Sequence, residues 1–317
     1  MSSLEQLLIG IFIFVVGGFG LFGNVSILYG TLTNSHLHTK CGILIGIASG
    51  NDIINILSEM INAITSSFNI QVSRLTCLYM MGLYIVTIEF EVFLMFSIAI
   101  DRLICLVFPL RYLALNTFYY VLFFVVFSFI PGVILIILNL IEKSNNPVEF
   151  CNPVEAQGGI NVYIWNLSTQ ITNLAIIIIY IILFILLKRK MNCQDSRTDS
   201  SLSQYIVVIR TIIVMALTFC CTWCAAHSMV SISLFGNISK ETSILLGALG
   251  VIPAMLCYSV NYFIFFTRSS EYRRIFKRQL ALICPCLKGK ALVDGNTQII
   301  TITRKKLTKN HKSDLNK

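Results

Sequence analysis

Five polar side chains recur at helical spacing along an otherwise apolar stretch of the sequence. Separated by steps of three, four, three and four residues, they are Asp52, Asn55, Glu59, Asn62 and Ser66. On an α-helix this spacing places them on one continuous face. Their carboxylate, amide and hydroxyl groups can bind a cation or hydrogen-bond a polar ligand. Because charge inside a bilayer is costly, we expect this face to point into the interior of the protein rather than toward lipid.

A second apolar stretch repeats the pattern. Glu91 and Arg102 are 11 residues apart, so their directions on a helix differ by only about 20°. Tyr84 and Thr87 lie on the same face, whereas Glu89 points about 160° away, toward another neighbour.

Three later stretches add further polar and aromatic groups. Trp223 and His227 are one helical turn apart, and Tyr258 and Asn261 lie in the last apolar run. One run is polar only at its beginning, at Asn166, Ser168, Thr169, Gln170, Thr172 and Asn173. Together these residues favour a water-filled, outward-opening cavity between the second, third, fifth, sixth and seventh helices. The alternative, in which they only hydrogen-bond one helix to another, stays open at this point.

The histidines and cysteines of the sequence argue against an enzyme and against a metal centre. The four histidines form no pair at metal-ligand spacing in a helix, and no Ser–His arrangement is visible. Cys221 and Cys224 have the spacing of a redox motif, but such a motif belongs at a helix start in a βαβ unit. We therefore expect no catalytic residue and no metal ligand.

The elements that must position these groups are membrane helices. Of the 317 residues, 56% are hydrophobic and 12% are charged, with a mean hydropathy of +0.79. Soluble domains carry about 25% charged residues. Soluble enzymes, nucleic-acid-binding proteins and disordered proteins are therefore poor fits.

Long uncharged or nearly uncharged runs predict seven membrane spans, since about 20 apolar residues cross the hydrocarbon core. The predicted spans are 7–33, 42–66, 76–108, 117–141, 162–187, 204–235 and 243–267. The second and third contain acids, but no soluble domain surrounds them that could bury them otherwise. A β-barrel does not fit, because the runs are continuously apolar rather than alternating. The predicted fold is an all-α seven-transmembrane bundle.

The Lys and Arg residues predict its orientation. With the N-terminus outside, the external loops hold only Arg74, Lys143 and Lys240, and the inside holds the other 21 basic residues. Thirteen of these follow from Arg268 onward, so the net charge of +9 belongs to a tail and does not indicate nucleic-acid binding. Residues 270–283 form an amphipathic eighth helix on the membrane surface. We expect 288–317 to be a basic, disordered cytoplasmic tail.

Several motifs resemble rhodopsin-like G-protein-coupled receptors. They are Gly23-Asn24, Asp52, Cys77 placed 25 residues before Arg102, Ile100-Asp101-Arg102, and Asn261-Tyr262-Phe263-Ile264-Phe265. More narrowly, Leu37-His38-Thr39-Lys40-Cys41-Gly42 and the run Ile100–Leu106 leading into Phe108-Pro109 look like the nematode serpentine chemoreceptor family Srsx. The similarity covers about residues 20–275. The usual Asp-Arg-Tyr reads Asp101-Arg102-Leu103, and the prolines usual in helices five and six are absent.

The resemblance implies how the protein signals. Asp101 and Arg102 are the expected coupling switch, with Arg102 paired locally at rest and freed to meet a heterotrimeric G protein. In many relatives an acid at the start of helix six also holds this arginine, whereas Gln204 and Tyr205 stand there in this sequence. We therefore expect Arg102 to be held only weakly in the resting state. Pro253, Gly247 and Gly250 are expected to supply the bend of helix seven.

The resemblance also implies a buried cation site and covalent attachments. Asn24, Asp52, Glu91 and Asn261 resemble the superfamily's sodium site; either a cation, expected to be sodium, binds here or one carboxyl is protonated. No other cofactor is expected. Cys77 and Cys151 are the only cysteines predicted on the oxidising exterior, so we expect them to pair. Cys284 and Cys286 are candidate palmitoylation sites.

The expected ligand-binding residues are Glu59, Tyr84, Thr87, Trp223 and His227. Amine receptors of this superfamily carry Asp at the position of Tyr84, so a monoamine is disfavoured. The acidic second external loop, with Glu142, Glu149 and Glu155, repels anions. We expect a plasma-membrane receptor for a neutral or weakly basic small molecule or short peptide. A neuropeptide or monoamine receptor, or a seven-helix transporter or ligand-gated channel, remains the alternative.

Overall fold

The structure is a computed structural model that describes residues 3–67, 72–142, 146–148, 151–193 and 200–283. The candidate palmitoylation sites Cys284 and Cys286, the tail 288–317 and the loop residue Glu149 lie outside the described residues. The side chains of Gln204 and Tyr205 also lie outside them.

The described chain is almost entirely helical. The longer helices are α1 (Ser3–Thr33), α2 (Lys40–Ser67), α3 (Arg74–Val107), α5 (Thr117–Glu142), α7 (Asn161–Cys193), α8 (Ser200–Phe235), α9 (Lys240–Leu249), α10 (Val251–Arg268) and α11 (Ser270–Ile283). Shorter elements are the 3-10 helix Ser35–Leu37, α4 (Pro109–Ala114), α6 (Pro153–Ala156), β1 (Val72–Ser73) and β2 (Pro147–Val148).

Seven helical segments within the described residues are long and apolar enough to cross a membrane. The prediction of a seven-helix membrane bundle is therefore confirmed. A helix suits this solvent because it satisfies its backbone hydrogen bonds internally. Large apolar side chains cover the outer surface of these helices, among them Leu8, Phe19, Phe123, Ile137, Leu167 and Phe184. In water such a surface would aggregate, whereas in lipid it is solvated.

Helix α3 is the central element of the bundle. In its most apolar stretch 72% of the residues are buried, against 28% in α1 and in α5. The other spans form a closed ring in which α1 packs on α2 and α10, and α8 packs on α7 and α10. Polar residues on α3 are thus surrounded by protein, which explains how the bundle accommodates Glu89, Glu91 and Arg102.

Helices α3 and α5 approach closely at Gly132. A Cβ atom at this position would lie 2.9 Å from the carbonyl oxygen of Val86. Any side chain would therefore push the two helices apart. The absence of a side chain lets the backbones meet, as small residues commonly do between membrane helices.

The seventh span is divided where the sequence predicts a bend. Helix α9 ends at Leu249 and α10 begins at Val251, with Gly250 between them. Pro253 lies in the first turn of α10, where its missing N–H has no intrahelical partner to lose. Further back in a continuous helix the same proline would remove a hydrogen bond. The interruption is thus the conformation that Pro253 favours.

One end of the bundle is closed by a small strand pair. β1 and β2 are antiparallel, with Val72 opposite Val148 and Ser73 opposite Pro147. The amide of Arg74 donates to the carbonyl of Asn146 at 2.9 Å and extends the pairing. Beside it, Cys77 at the start of α3 forms the predicted disulfide with Cys151, with Cα atoms 5.5 Å apart. The loop between α5 and α7 is therefore tied to the central helix.

Residues from Ser270 onward form a second unit. Its described part is α11, which carries Arg273, Arg274, Lys277 and Arg278 on one side and apolar residues on the other. This amphipathic pattern is typical of a helix that lies on a membrane surface.

Candidate functional site

A cavity of about 100 Å³ lies within the seven-helix unit, toward the end that carries the disulfide. This is several times the space that one water molecule needs. Polar and aromatic side chains in its lining are Gln6, Glu59, Asn62, Tyr84, Asn152, Trp165, Trp223 and His227. Four of the five residues predicted to bind ligand, namely Glu59, Tyr84, Trp223 and His227, are among them.

An aromatic group forms one wall of this cavity. Trp223 and His227 lie one turn apart on α8, with ring centroids 5.4 Å apart. Trp165 of α7 lies on the other side of His227 at 4.8 Å. All three side chains are at least 96% buried, so their polar atoms are exposed to the cavity or to protein rather than to bulk solvent.

A carboxylate and a phenol, those of Glu59 and Tyr84, also line the cavity. The Glu59 side chain interacts with the hydroxyl of Tyr84 and accepts from Asn62 Nδ2 at 3.5 Å. The hydroxyl of Tyr84 also lies 3.4 Å from that of Tyr258. Among the described residues, Glu59 is the one Asp, Glu, Lys or Arg in the cavity lining, which gives this small volume an acidic character.

The structure places two groups that were expected in the cavity away from its lining. Thr87 does not line it, because its hydroxyl donates to Leu83 and Tyr84 carbonyl oxygens of its own helix, at 3.1 and 3.0 Å. Membrane helices commonly satisfy a threonine hydroxyl in this way.

The polar beginning of the fifth span does not line the cavity either. It is an interface between helices: Asn166 and Gln170 bond to Ser231 of α8, and Thr169 bonds to Glu89 of α3 at 3.1 Å. Only Trp165 of this segment reaches the cavity.

Two parts of the lining carry no signal that the sequence alone reveals. Helix α1 contributes Gln6, Ile9, Gly10 and Ile13, and the disulfide-bonded loop contributes Asn152, Pro153 and Val154. The apolar residues of α1 gave no signal, because a side chain that borders a cavity has the same composition as one that faces a neighbouring helix.

Deeper in the bundle a polar cluster joins four helices. Asn261 Nδ2 donates to Asp52 at 3.1 Å, and Asn55 Nδ2 donates to Glu91 at 2.7 Å. Asn24 Nδ2 donates to the carbonyl of Tyr258 at 2.7 Å. The structure thus brings Asn24, Asp52, Glu91 and Asn261 into one region, and adds Asn55.

This cluster has the oxygen ligands that a hard cation prefers. Besides the carboxylates of Asp52 and Glu91, the amide oxygens of Asn24 and Asn55 are buried and accept no hydrogen bond from the described residues. Oxygen atoms of this kind are the ligands that alkali and alkaline-earth cations take. The residues present therefore fit a bound sodium ion.

A third polar group lies near the other end of α3, about 36 Å from Cys77 at 1.5 Å per residue. Arg102 Nε donates to Asp101 Oδ2 at 2.8 Å, and its Nη2 atom contacts the same oxygen. Both side chains are at least 93% buried. Asp101 and Arg102 thus form the local ion pair that was predicted for the switch.

Tyr112 of α4, which no sequence motif singles out, holds this ion pair. Its hydroxyl donates to Asp101 Oδ1 at 2.9 Å and accepts from Arg102 Nη2 at 3.2 Å. Burial, with the Asp101 carboxylate beside it, raises the pKa of Tyr112 above its ordinary value, so the hydroxyl keeps its proton. Lys40 Nζ fixes the backbone of Tyr112 through its carbonyl at 2.7 Å and lies 4.5 Å from the ring centroid.

Comparison with known protein families gives one match that covers most of the chain. The model of the family described as serpentine-type seven-transmembrane G-protein-coupled chemoreceptor Srsx matches residues 18–280. The matched range contains all seven membrane spans except the first part of α1. It contains the buried polar cluster, the Asp101–Arg102 pair and the cavity lining other than the residues of α1.

Proposed function

The chain belongs to the Srsx family of serpentine seven-transmembrane chemoreceptors, and we propose that it detects an external small molecule and activates a heterotrimeric G protein. In this proposal it resides in the plasma membrane, with the N-terminus and the disulfide outside and the Asp101–Arg102 pair inside. It carries out no covalent chemistry. The observation that supports the proposal is a cavity with a buried carboxylate and aromatic rings toward one end of the bundle and the buried Asp101–Arg102 ion pair near the other.

The ligand we propose is neutral or weakly basic and binds between Glu59, Tyr84 and His227. Support comes from the cavity lining: in the part of the chain that the structure describes, Glu59 is its one Asp, Glu, Lys or Arg. A carboxylate or phosphate ligand would meet this charge without a cation to compensate it. Trp165 and Trp223 offer the flat apolar surfaces that are typical of small-molecule sites.

The coupling step we propose is a population shift between two states of the bundle. In the resting state the guanidinium of Arg102 donates hydrogen bonds to Asp101 and Tyr112. Ligand binding favours a state in which this group is released toward the G protein. The ligand can shift the equilibrium only by its difference in affinity for the two states.

The cation we propose at the buried cluster is sodium, held by the carboxylates of Asp52 and Glu91 and the amide oxygens of Asn24 and Asn55. It would supply positive charge between two carboxylates that cannot both stay ionised cheaply in apolar surroundings. Asn261, which bonds to Asp52, would orient that carboxylate.

The proposal is tested by expression in cells with a calcium or cyclic-nucleotide readout against a panel of odorants and short peptides. Arg102→Ala should abolish the response while the protein still reaches the surface. An N-terminal tag that is stained without permeabilisation checks both surface delivery and the proposed orientation.

Arg210→Ala is the matched control, because Arg210 is an exposed arginine of α8 with no described contact to Asp101. It should respond as the unmodified chain does. Ligand-dependent currents in the absence of any G protein, or a full response from Arg102→Ala, would instead favour a channel or transporter.

A further inference from the structure

His227 lines the cavity, with one ring nitrogen in a protein network and the other without a hydrogen-bond partner among the described residues. Nδ1 lies 2.8 Å from Asn166 Oδ1. Nε2 is buried and has no hydrogen-bond partner among the described residues. The side chain is 99% buried and lines the cavity beside Trp165 and Trp223. Which nitrogen carries the proton therefore decides what the cavity offers to a ligand.

The orientation of the Asn166 amide follows from Ser231. A serine hydroxyl has one hydrogen and can accept two hydrogen bonds. Ser231 donates its hydrogen to the His227 carbonyl at 2.9 Å. It accepts from Asn166 Nδ2 at 2.7 Å and from Gln170 Nε2 at 2.8 Å. All of its capacity is used, and the atom of Asn166 that faces it must be the NH₂ group.

We infer that Asn166 fixes His227 in the tautomer protonated at Nδ1, so that Nε2 presents a lone pair to the cavity and selects a ligand with a neutral hydrogen-bond donor. With its NH₂ group on Ser231, Asn166 turns its oxygen toward His227, and an oxygen can only accept. Nδ1 must therefore carry a hydrogen, and in the neutral ring this leaves Nε2 as an acceptor.

This inference rests on the proposed function for the identity of the cavity as the ligand site, and it names the chemical class that the site takes. An alcohol or a primary or secondary amide can donate to Nε2. An ether, a ketone or a tertiary amide of the same size cannot, and would leave Nε2 buried without a partner. Sites built to hydrogen-bond a ligand discriminate strongly against analogues that lack the bond. Asn166 is a positioning residue here, since it acts through His227.

The tautomer is measured on the full-length chain in lipid nanodiscs, labelled with ¹⁵N-histidine. The sequence has only four histidines, His36, His38, His227 and His311, and His227→Gln identifies the resonances of the third. We expect a protonated Nδ1 and an unprotonated Nε2. A proton on Nε2 in the unmodified chain would overturn the inference, whatever the protein does with a G protein.

Two matched variants separate tautomer control from general packing. Asn166→Leu removes the acceptor and should move part of the proton to Nε2, whereas Asn166→Asp keeps an oxygen in place and should keep Nδ1 protonated. Gln170→Leu removes the neighbouring bond to Ser231 but not the bond to His227, so it should retain the native tautomer. An unchanged spectrum in Asn166→Leu, or an equal change in Gln170→Leu, would contradict the role of Asn166.

The ligand class is tested with butan-1-ol and its isomer 1-methoxypropane, which has the same atoms but no O–H group. In the unmodified chain the alcohol should shift the Nε2 resonance of His227 and bind about tenfold more tightly, as expected for one hydrogen bond to an otherwise unpaired buried group. Gln170→Leu should keep this preference and Asn166→Leu should lose it. Equal binding of the two isomers, or binding of neither, would overturn the ligand class and leave the tautomer result and the G-protein proposal standing.

Discussion

At the scale of single residues, Glu59 is the electrostatic determinant of the cavity. Glu59→Gln keeps the shape and removes the charge. The potency of basic ligands should fall about tenfold or more, because hydrogen bonds to a charged group are worth about 1.5–3 kcal/mol. Neutral ligands should be nearly unaffected. Dose–response curves for a basic ligand and a neutral analogue give the comparison.

Glu241→Gln is the control for this experiment. Glu241 is an exposed acid in the first turn of α9 and does not line the cavity, so its loss should leave both curves in place. A potent carboxylate or phosphate ligand whose response is unaffected by changes at Tyr84 or His227 would refute the placement of the site.

Tyr112 is the second residue whose single hydroxyl group we expect to matter. Tyr112→Phe removes the donor to Asp101 and the acceptor for Arg102 but keeps the ring over Lys40. A hydrogen bond of about 1 kcal/mol in the resting state corresponds to about a fivefold shift toward the active state. We therefore expect higher basal signalling, measured without ligand and normalised to surface expression.

Tyr119→Phe provides the comparison, since Tyr119 is exposed on α5. Its basal signal should match that of the unmodified chain. If Tyr112→Phe leaves the basal signal unchanged or lowers it, Tyr112 does not stabilise the resting ion pair.

At the scale of elements, the disulfide ties the loop after α5 to the start of α3. Cys77→Ser and Cys151→Ser should each lower the melting temperature and reduce surface expression, because loss of a native disulfide typically costs about 2–5 kcal/mol. The double variant should be no worse than either single variant, as expected for two halves of one bond. Thermal unfolding of the purified protein measures all three.

Cys221→Ser is the matched control for these variants. Cys221 is a free, exposed cysteine of α8, and its replacement should change the melting temperature little. Losses that add up in the double variant would show that Cys77 and Cys151 contribute independently.

The division between α9 and α10 shows what an element contributes to the site. Gly247 and Gly250 both line the cavity, and neither has a side chain to fill it. Gly247 lies in the last turn of α9, and Gly250 lies at the point where the helix is interrupted before Pro253. The interruption and part of the free volume therefore have one origin in the sequence.

At the scale of the whole molecule, a cation in the buried cluster would link α1, α2 and α3 through residues far apart in sequence. We expect the purified protein to unfold at a higher temperature in sodium than in choline at the same ionic strength. At sodium concentrations about ten times the dissociation constant, mass action gives about 1.4 kcal/mol, or a shift of a few degrees. Asp52→Asn should remove the dependence on sodium.

Glu89→Gln serves as the control, because Glu89 is an equally buried carboxylate on α3 that bonds to Thr169 outside the cluster. It should keep the difference between sodium and choline. Identical melting temperatures in the two salts would instead indicate that one carboxyl of the cluster is protonated.

The sequence by itself determined the membrane class and the seven spans. A bilayer requires about 20 apolar residues per helix, so hydropathy fixes the spans without knowledge of their neighbours. Pro253 also indicated where the last span is interrupted. The local pairing of Asp101 with Arg102 followed from the resemblance. The disulfide between Cys77 and Cys151 followed from the resemblance and from the predicted exterior.

Only the tertiary structure decided which polar faces meet. The helical period gives the direction of a side chain about its own axis, but not the rotation of that helix relative to the next one. The polar residues of α7 could therefore be recognised but not assigned, and they turn toward Ser231 and Glu89 rather than into the cavity. Tyr112 escaped notice for the same reason, because its contact with Asp101 depends on how α4 folds back against α3.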